Sequence, residues 1–335
     1  MNNYQNHVGI DTSKETLDVS VVKERKKIFT CQVANDPKGL KALAKKLKQR
    51  GIKLLETLFC VEHTGIYTAN ILHWATENQL SIWVESGSQI QRSLGIKREK
   101  SDQVDAYHIA MYASRFEDKC RLWQAPSEDI QKLKTLISLR ERLKKSITKI
   151  KVPLKESMIF FDKKQLKELE KHSKTALKGL EKSLADTEAS IHKIIEENSE
   201  LKELYDIITS VKGVGFVTAV TLIVFTNAFK NLYEARLIAC YAGIAPFEHT
   251  SGTSVRGKTK VSHFANKTLK ALFHMAAMSA IQNNDKIRAY RDRKVAEGKH
   301  KMSVINAVRN KLLLIICACV RKKEKYDENY TYSLA

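Results

Sequence analysis

Proline and glycine are scarce in this chain, with four and thirteen in 335 residues. So few turn formers argue against an all-β build and favour helix. Cysteine is scarce too. The six are scattered, and only Cys317 and Cys319 lie close, as C-x-C. That spacing suits neither a zinc ligand set nor a disulfide framework, and a reducing cytoplasm is the expectation. Acid is the minority charge: 37 Asp and Glu stand against 58 Lys and Arg, for a net charge of +21. Such an excess points to a polyanion, either nucleic acid or an anionic membrane. No apolar run comes near the roughly 18–20 residues that a spanning helix needs. "NKLLLIICACV" (310–320) is too short, is bounded by Arg309, Lys311 and Arg321, and reads as a buried helix. The N-terminus lacks the apolar core of a secretory signal. No internal repeat or low-complexity tail is visible.

The residues that are present come in three textures. Hydrophobic residues make up 43% of the chain, enough for real cores, and the length suits roughly two or three domains. Residues 7–34 read as an antiparallel meander, with alternating Leu17, Val19 and Val21. "DPKGLKALAKKLKQRG" (36–51) is a helix capped by Asp36, with Pro37 in its first turn. "LLETLFCVEHTG" (54–65) is a buried strand ending at Glu62. "IYTANILHWATENQ" is helix, "LSIWVES" strand and "SDQVDAYHIAMYASRF" helix. This order predicts an α/β layer around a mixed sheet of the ribonuclease-H type over residues 1–122.

Residues 123–205 are dense in Lys, Glu and Leu, with apolar residues three or four apart. They predict a long helical coiled-coil arm for dimerisation, interrupted around "VPLKESMIFFD" (152–162). Residues 206–335 turn globular and mainly helical, with "FEHTSGTSVRGKTKVS" expected as a loop.

Four acids fall at expected strand ends or helix starts. Asp11 ends the first strand and Glu62 a later one. Asp102 and Asp105 share one face of a helix, being three residues apart. Acids brought together repel unless a cation joins them. Magnesium, or manganese, prefers such an all-oxygen set, and a pair of such ions catalyses phosphodiester attack. Each acid also has a plain role open to it: Asp11 as a turn former, Glu62 as a surface acid, Asp102 as a helix cap with Asp105 beside the dipole.

Two stretches further along carry glycine. "SVKGVGFVTAV" has the shape of a helix-hairpin-helix turn. Gly213 and Gly215 permit the bend, and free backbone N–H groups there suit a phosphate; a plain helix corner is the alternative. "HTSGTSVRGKTK" (249–260) sets Ser251, Thr253 and Ser254 among glycines, with the cations Arg256, Lys258 and Lys260 after them. Flexible residues let a hydroxyl approach a ligand and cations hold phosphate, though a solvated basic loop has the same composition. The run "KIRAYRDRKVAEGKHK" (286–301) suits a nucleic-acid backbone or a solvated helix face.

Taken together, these stretches resemble the IS-one-ten insertion-sequence family of DEDD transposases, the bridge-RNA-guided recombinases. "GIDTSKETLDV" resembles the family's first strand with Asp11. "VEHTGIY" resembles its E-x-T-G-x-Y block with Glu62, and "KSDQVDAYHIA" its block with Asp102 and Asp105. "SGTSVRGKTKVS" resembles its serine block, with Ser251 as nucleophile. The resemblance covers nearly the whole chain. One departure is "SHFANK" (262–267), where the family commonly shows Ser-Lys-x-Gly-Asn, and His263 is given no role.

The resemblance implies a RuvC-like N-terminal domain and a dimerising arm. It also implies a serine transposase domain, assembly of dimers into a tetramer, and no membrane. It implies a metal held by Asp11, Glu62, Asp102 and Asp105, with donor DNA, target DNA and a structured noncoding guide RNA as partners. The setting would be the cytoplasm of a bacterium or archaeon, at the nucleoid. A RuvC-like nuclease that uses the metal without a covalent intermediate is the alternative, and a nucleic-acid-binding scaffold is the third reading.

Overall fold

The computed structural model describes residues 4–93, 101–230, 234–251 and 255–328. The chain divides into two units, Met1–Ala125 and Pro126–Ala335.

The first unit is built on five strands: β1 Asn6–Thr12, β2 Thr16–Lys23, β3 Lys26–Ala34, β4 Thr57–Glu62 and β5 Ser81–Glu85, in the order β3-β2-β1-β4-β5. The first three are antiparallel neighbours, and β1, β4 and β5 run parallel. This is the mixed sheet that the sequence pattern predicts. Four helices accompany it: α1 Pro37–Lys48, α2 Ala69–Glu77, α3 Gly87–Ser93 and α4 Asp102–Arg115.

Strand side chains alternate between faces. Val8, Ile10, Val19, Phe59 and Val61 pack with Leu40 and Leu43 of α1 and Ile71 and Trp74 of α2. Leu58, Cys60 and Trp83 pack on the other face with Ile109, Tyr112 and Ala113 of α4. Asp36 caps α1 as expected, accepting from Gly39 N at 2.7 Å. The second expected helix begins late, because residues Gly65–Thr68 form a 3₁₀ turn ahead of α2. α3 has no forecast in the sequence pattern.

In the second unit, α5 Glu128–Phe160 and α6 Lys163–Glu197 form an antiparallel helical hairpin. Arg140 pairs with Glu188 at 2.7 Å and Lys151 with Glu181 at 2.5 Å across it. The interruption expected at residues 152–162 is only a tip. α5 runs through Pro153 to Phe160, and Asp162 opens α6 with a capping box closed by Gln165.

The base of the hairpin, through Ile130, Leu133, Ile191 and Ile195, enters a helical core. That core is shared by α7 Ser199–Thr209, α8 Phe216–Thr226, α9 Ala235–Tyr241, α10 Lys267–Asn283, α11 Asp285–Ala296 and α12 Lys301–Lys322.

α12 corrects the sequence reading of its apolar stretch. At 22 residues it is long and apolar enough to cross a membrane by length and composition. Its Val308, Leu312, Leu313 and Ile316 lie in the core of this unit.

The stretch expected as a serine loop is a two-stranded antiparallel ribbon, β6 Pro246–Ser251 and β7 Val255–Val261. Val255, Thr259 and Val261 stand at alternate positions, a pattern that favours strand over loop.

Candidate active site

Strand register assembles the acids of the first unit. Ile10 of β1 pairs with Val61 of β4, so the next residues, Asp11 and Glu62, end adjacent parallel strands side by side. Gly9 and Asp11 share a face, two residues apart. On that face α4 presses against β1: a Cβ at Gly9 would lie 2.2 Å from both Ala106 O and Ala110 N. No side chain but hydrogen fits there, and the contact sets the height of α4 over the sheet. Asp105 immediately precedes Ala106 and Asp102 lies about one turn before it, both in the first turn of α4.

Ser101, not Asp102, caps α4. Its hydroxyl accepts from Val104 N at 3.3 Å, so the capping role considered for Asp102 is filled by its neighbour. Asp105 Oδ1 lies 3.9 Å from His108 Nδ1, one turn on. The ends of the strands that carry Asp11 and Glu62 are tied by a hydrogen bond between the hydroxyls of Thr12 and Thr64. Asn35 braces the same end, donating to Ser13 O at 2.8 Å and Tyr67 O at 2.9 Å.

The charges register on one another. Asp11's carboxyl is pushed up to about 6, first by burial and then by Glu62, Asp102 and Asp105. The four acids therefore act on one locality. Among the described residues no group of three or more His, Cys, Asp or Glu stands close enough to hold a metal. The donor set is nevertheless all hard oxygen, and its mutual repulsion is the kind a divalent cation relieves, so its chemistry fits magnesium or manganese.

Three residues at this edge have no motif in the sequence reading. Glu85 pairs with Glu62 in the β4–β5 ladder and accepts from the Tyr112 hydroxyl of α4 at 3.1 Å. Burial and Glu85 together raise the Tyr112 phenol well above its ordinary value. Asp18 stands opposite Asp11 on β2, buried, accepting from Gln32 at 3.0 Å. Gly87 opens α3 directly against Glu62, where an added Cβ would lie 1.9 Å from Oε1. Strand ends carrying acid in neighbouring strands are the only signal that could have found Glu85, and the β5 segment does end in Glu.

The remaining predicted residues lie in the second unit. Gly213 takes φ +94 and faces α10, where a Cβ would come within 2.6 Å of Ala276 O and Ala280 N. Gly215 caps α8 and is open to its surroundings. Ser251 closes β6 opposite Val255, Arg256 pairs with Thr250, and Lys260 pairs with Phe247; Lys258 is also on β7. Thr253 and Ser254 lie outside the described residues. Much of the charge in the basic run is answered locally, by Arg288–Asp285, Arg291–Asp292 and Lys294–Glu297. All six cysteines are free.

Comparison with known proteins bears on both units. A DEDD transposase family of the IS110 type, described as transposase, matches residues 8–160. The transposase IS116/IS110/IS902 family matches residues 205–292. The pilin gene-inverting protein of Moraxella bovis is 25% identical over 326 residues, spanning 96% of this chain and 98% of that protein. The transposase for insertion sequence element IS1111A of Coxiella burnetii is 22% identical over 258 residues, 69% of each chain. Among solved structures, T. thermophilus RuvC in complex with a Holliday junction substrate is 14% identical, with a TM-score of 0.27, over 34% of this chain and 96% of that one. With one family match falling largely on the acid-bearing unit and the other on the serine-bearing unit, this chain belongs to the IS110 (IS-one-ten) family and is a DNA transposase or recombinase.

Proposed function

We propose that this transposase carries out RNA-guided, site-specific strand exchange, through a metal-holding DEDD site in a RuvC-like domain and a serine nucleophile. Asp11, Glu62, Asp102 and Asp105 hold magnesium, with manganese able to replace it. A divalent cation bound there supplies positive charge to the attacking oxygen and to the phosphoryl group under attack. Ser251 Oγ forms a bond to phosphorus, the strand's P–O bond breaks, and the released deoxyribose oxygen takes the proton. The phosphoseryl link conserves the bond energy, so a later attack by a strand-end hydroxyl reseals DNA and frees the serine.

Arg256, Lys258 and Lys260 hold the phosphate at the reacting strand. Gly213 and Gly215 shape a turn whose backbone N–H groups rest on the nucleic-acid backbone. A structured noncoding RNA pairs with donor and target DNA. The helical hairpin joins two copies as a coiled coil, and dimers assemble into a tetramer; Ile159 and Phe160, about 80% exposed at its tip, are apolar surface suited to that use. The named relatives are a pilin gene-inverting protein and an insertion-sequence transposase, in keeping with a strand-exchange reaction.

The observation that carries this reading is the placement of Asp11 and Glu62 at the ends of adjacent parallel strands, with Asp102 and Asp105 in the first turn of the helix seated on β1. The test is a covalent trap. Protein, its flanking noncoding RNA, donor and target DNA and magnesium are mixed and run on a denaturing gel. A DNA-linked protein band, absent in Ser251→Ala and in Asp11→Asn, is the expected result. Cleaved DNA without attached protein, at full rate in Ser251→Ala, would replace this reading with a metal-only nuclease.

A further inference from the structure

In the second unit a cavity of about 800 Å³ opens beside β7 and α12. Its wall carries Lys260 and His263 from the β7 side, Tyr290 from α11, and Asn306, Arg309 and Lys311 from α12. Among the described residues no Asp or Glu lines it. That is unusual beside α11, whose own cations are mostly answered by acids within a turn.

Arg309 decides the reading. It is 8% exposed and carries a charge that none of its partners offsets. Nη2 donates to His274 Nδ1 at 2.7 Å, Nη1 reaches Asn306 Oδ1 only at 3.5 Å, and Nε is buried with no hydrogen-bond partner. Guanidinium only donates, so His274 Nδ1 must accept, which requires the neutral ring. Burial and the Arg309 charge both lower the His274 pKa, in keeping with that state. A buried cation held only by neutral groups is costly unless an anion arrives.

The neighbours indicate which anion. Lys260 and Lys311 share the cavity wall with no Asp or Glu among the described lining residues. Lys311 Nζ stands 4.7 Å above the Tyr290 ring, and Met302 and Leu314 make one side of the wall apolar. Inorganic phosphate needs no apolar wall, and the backbone of a duplex, being convex, needs no cavity. The volume falls within the roughly 300–1,000 Å³ of small-ligand pockets. Cations beside an aromatic and apolar surface suit a phosphate with an unstacked base attached.

We propose that this cavity takes one unpaired nucleotide of a nucleic-acid strand. Its phosphate sits on Lys260, Lys311 and Arg309, and its base lies against Tyr290, Met302 and Leu314. Asn310, also in the wall, supplies an amide for its polar edge. The proposal rests on reading the chain as a nucleic-acid recombinase. It makes β7, the strand after the candidate serine, one wall of the path of a bound strand. DNA and RNA share this chemistry.

The test is fluorescence anisotropy of the full chain with a short labelled single-stranded DNA, an RNA of the same sequence and a blunt duplex. Arg309→Met, Lys311→Gln and Tyr290→Leu are compared over a salt series. Arg309→Met and Lys311→Gln are each expected to weaken single-strand binding about tenfold and to lower the salt slope by about one. Tyr290→Leu should weaken it about tenfold with the duplex unaffected. Arg309→Met should melt no earlier than the parent, since an apolar side chain replaces an uncompensated charge.

If it does melt earlier, Lys311→Gln, an exposed position, and Tyr290→Leu decide. A stronger loss on one strand type identifies that strand as the natural occupant, and equal losses support the shared chemistry. Unchanged single-strand affinity in Lys311→Gln and Tyr290→Leu, with a parent that binds, overturns the cavity proposal alone. Losses as large on the duplex overturn it too. A parent that binds none of the three probes overturns the recombinase reading beneath it.

Discussion

The two units handle charge in opposite ways. At one edge of the first, strand register and the seat of α4 crowd carboxylates together in a protein whose net charge is +21. In the second, a cavity wall collects Lys260, Arg309 and Lys311 with no acid among them. Elsewhere the same unit neutralises its charges within a turn, as Arg288–Asp285 and Lys294–Glu297 do. Like charges gathered together oppose folding, and an opposite charge brought among them relieves that cost. Bulk charge describes neither place.

The contrast is most sharply broken by removing the acids. Asp102→Asn with Asp105→Asn should lower strand exchange by roughly a hundredfold or more, the scale on which a preorganised electrostatic group acts, with melting temperature unchanged or raised. Full activity in that double variant, measured as recombinant product per unit time, would make the acids structural. Gly87→Ala tests placement rather than charge. The new methyl collides with the end of a flexible side chain, so the fold should hold while Glu62 is displaced, at a loss of about a hundredfold in rate for a shift near ~1 Å. Retained rate would show that Glu62 has room to spare.

In the second unit, Gly213→Ala should cost about 2 kcal/mol or more by denaturant titration. It combines an unfavourable positive φ with a clash against the α10 backbone. Gly215→Ala, open on all sides, should cost much less. Equal costs would mean that the turn tolerates a side chain facing α10.

The fourth prediction concerns pH. Asp11 titrates near 6 in the folded chain against 3.8 for the ordinary carboxyl. Its burden is absent below the ordinary value of 3.8, where both states are protonated, and grows as pH rises towards 6, above which the folded carboxyl also ionises. Metal-free stability should therefore fall across this window, by on the order of 1 kcal/mol once solvent screening of a half-buried group is allowed for. Asp11→Asn should flatten that fall, and magnesium should reverse it. A slope identical in the variant would assign the effect elsewhere. The smallest effect is expected of Tyr112→Phe, which deletes the hydrogen bond to Glu85 at about 1 kcal/mol.

Much of the acid edge is legible in the chain. Asp11, Glu62, Asp102 and Asp105 each lie beside a boundary that alternation or capping marks, and the structure puts their charges in one another's field. Glu85 is less legible because its segment reads as an ordinary strand; only the pairing with β4 makes it Glu62's neighbour. Gly87 is illegible, since its importance lies in the side chain of Glu62, far earlier in the chain. The ribbon of β6 and β7 reads as a loop because its many polar and glycine residues mask the alternation of Val255, Thr259 and Val261. α12 reads too short, since Arg309 and Lys311 break the apolar run in one dimension while the helix turns its apolar face inward.

The sequence by itself determined the features that arise from local periodicity and composition. Those are the alternating strands of the meander, the heavily charged helical hairpin, the cap at Asp36, and an excess of cations suited to a polyanion. Tertiary structure alone decided which charges meet. Register across parallel strands set Glu62 beside Glu85, and the absence of a side chain at Gly9 seated α4 over β1. The packing of α12 left Arg309 buried among neutral partners. Periodicity is a property of neighbours along the chain, whereas the energy of a buried charge depends on atoms brought together from distant positions, and only folding chooses those.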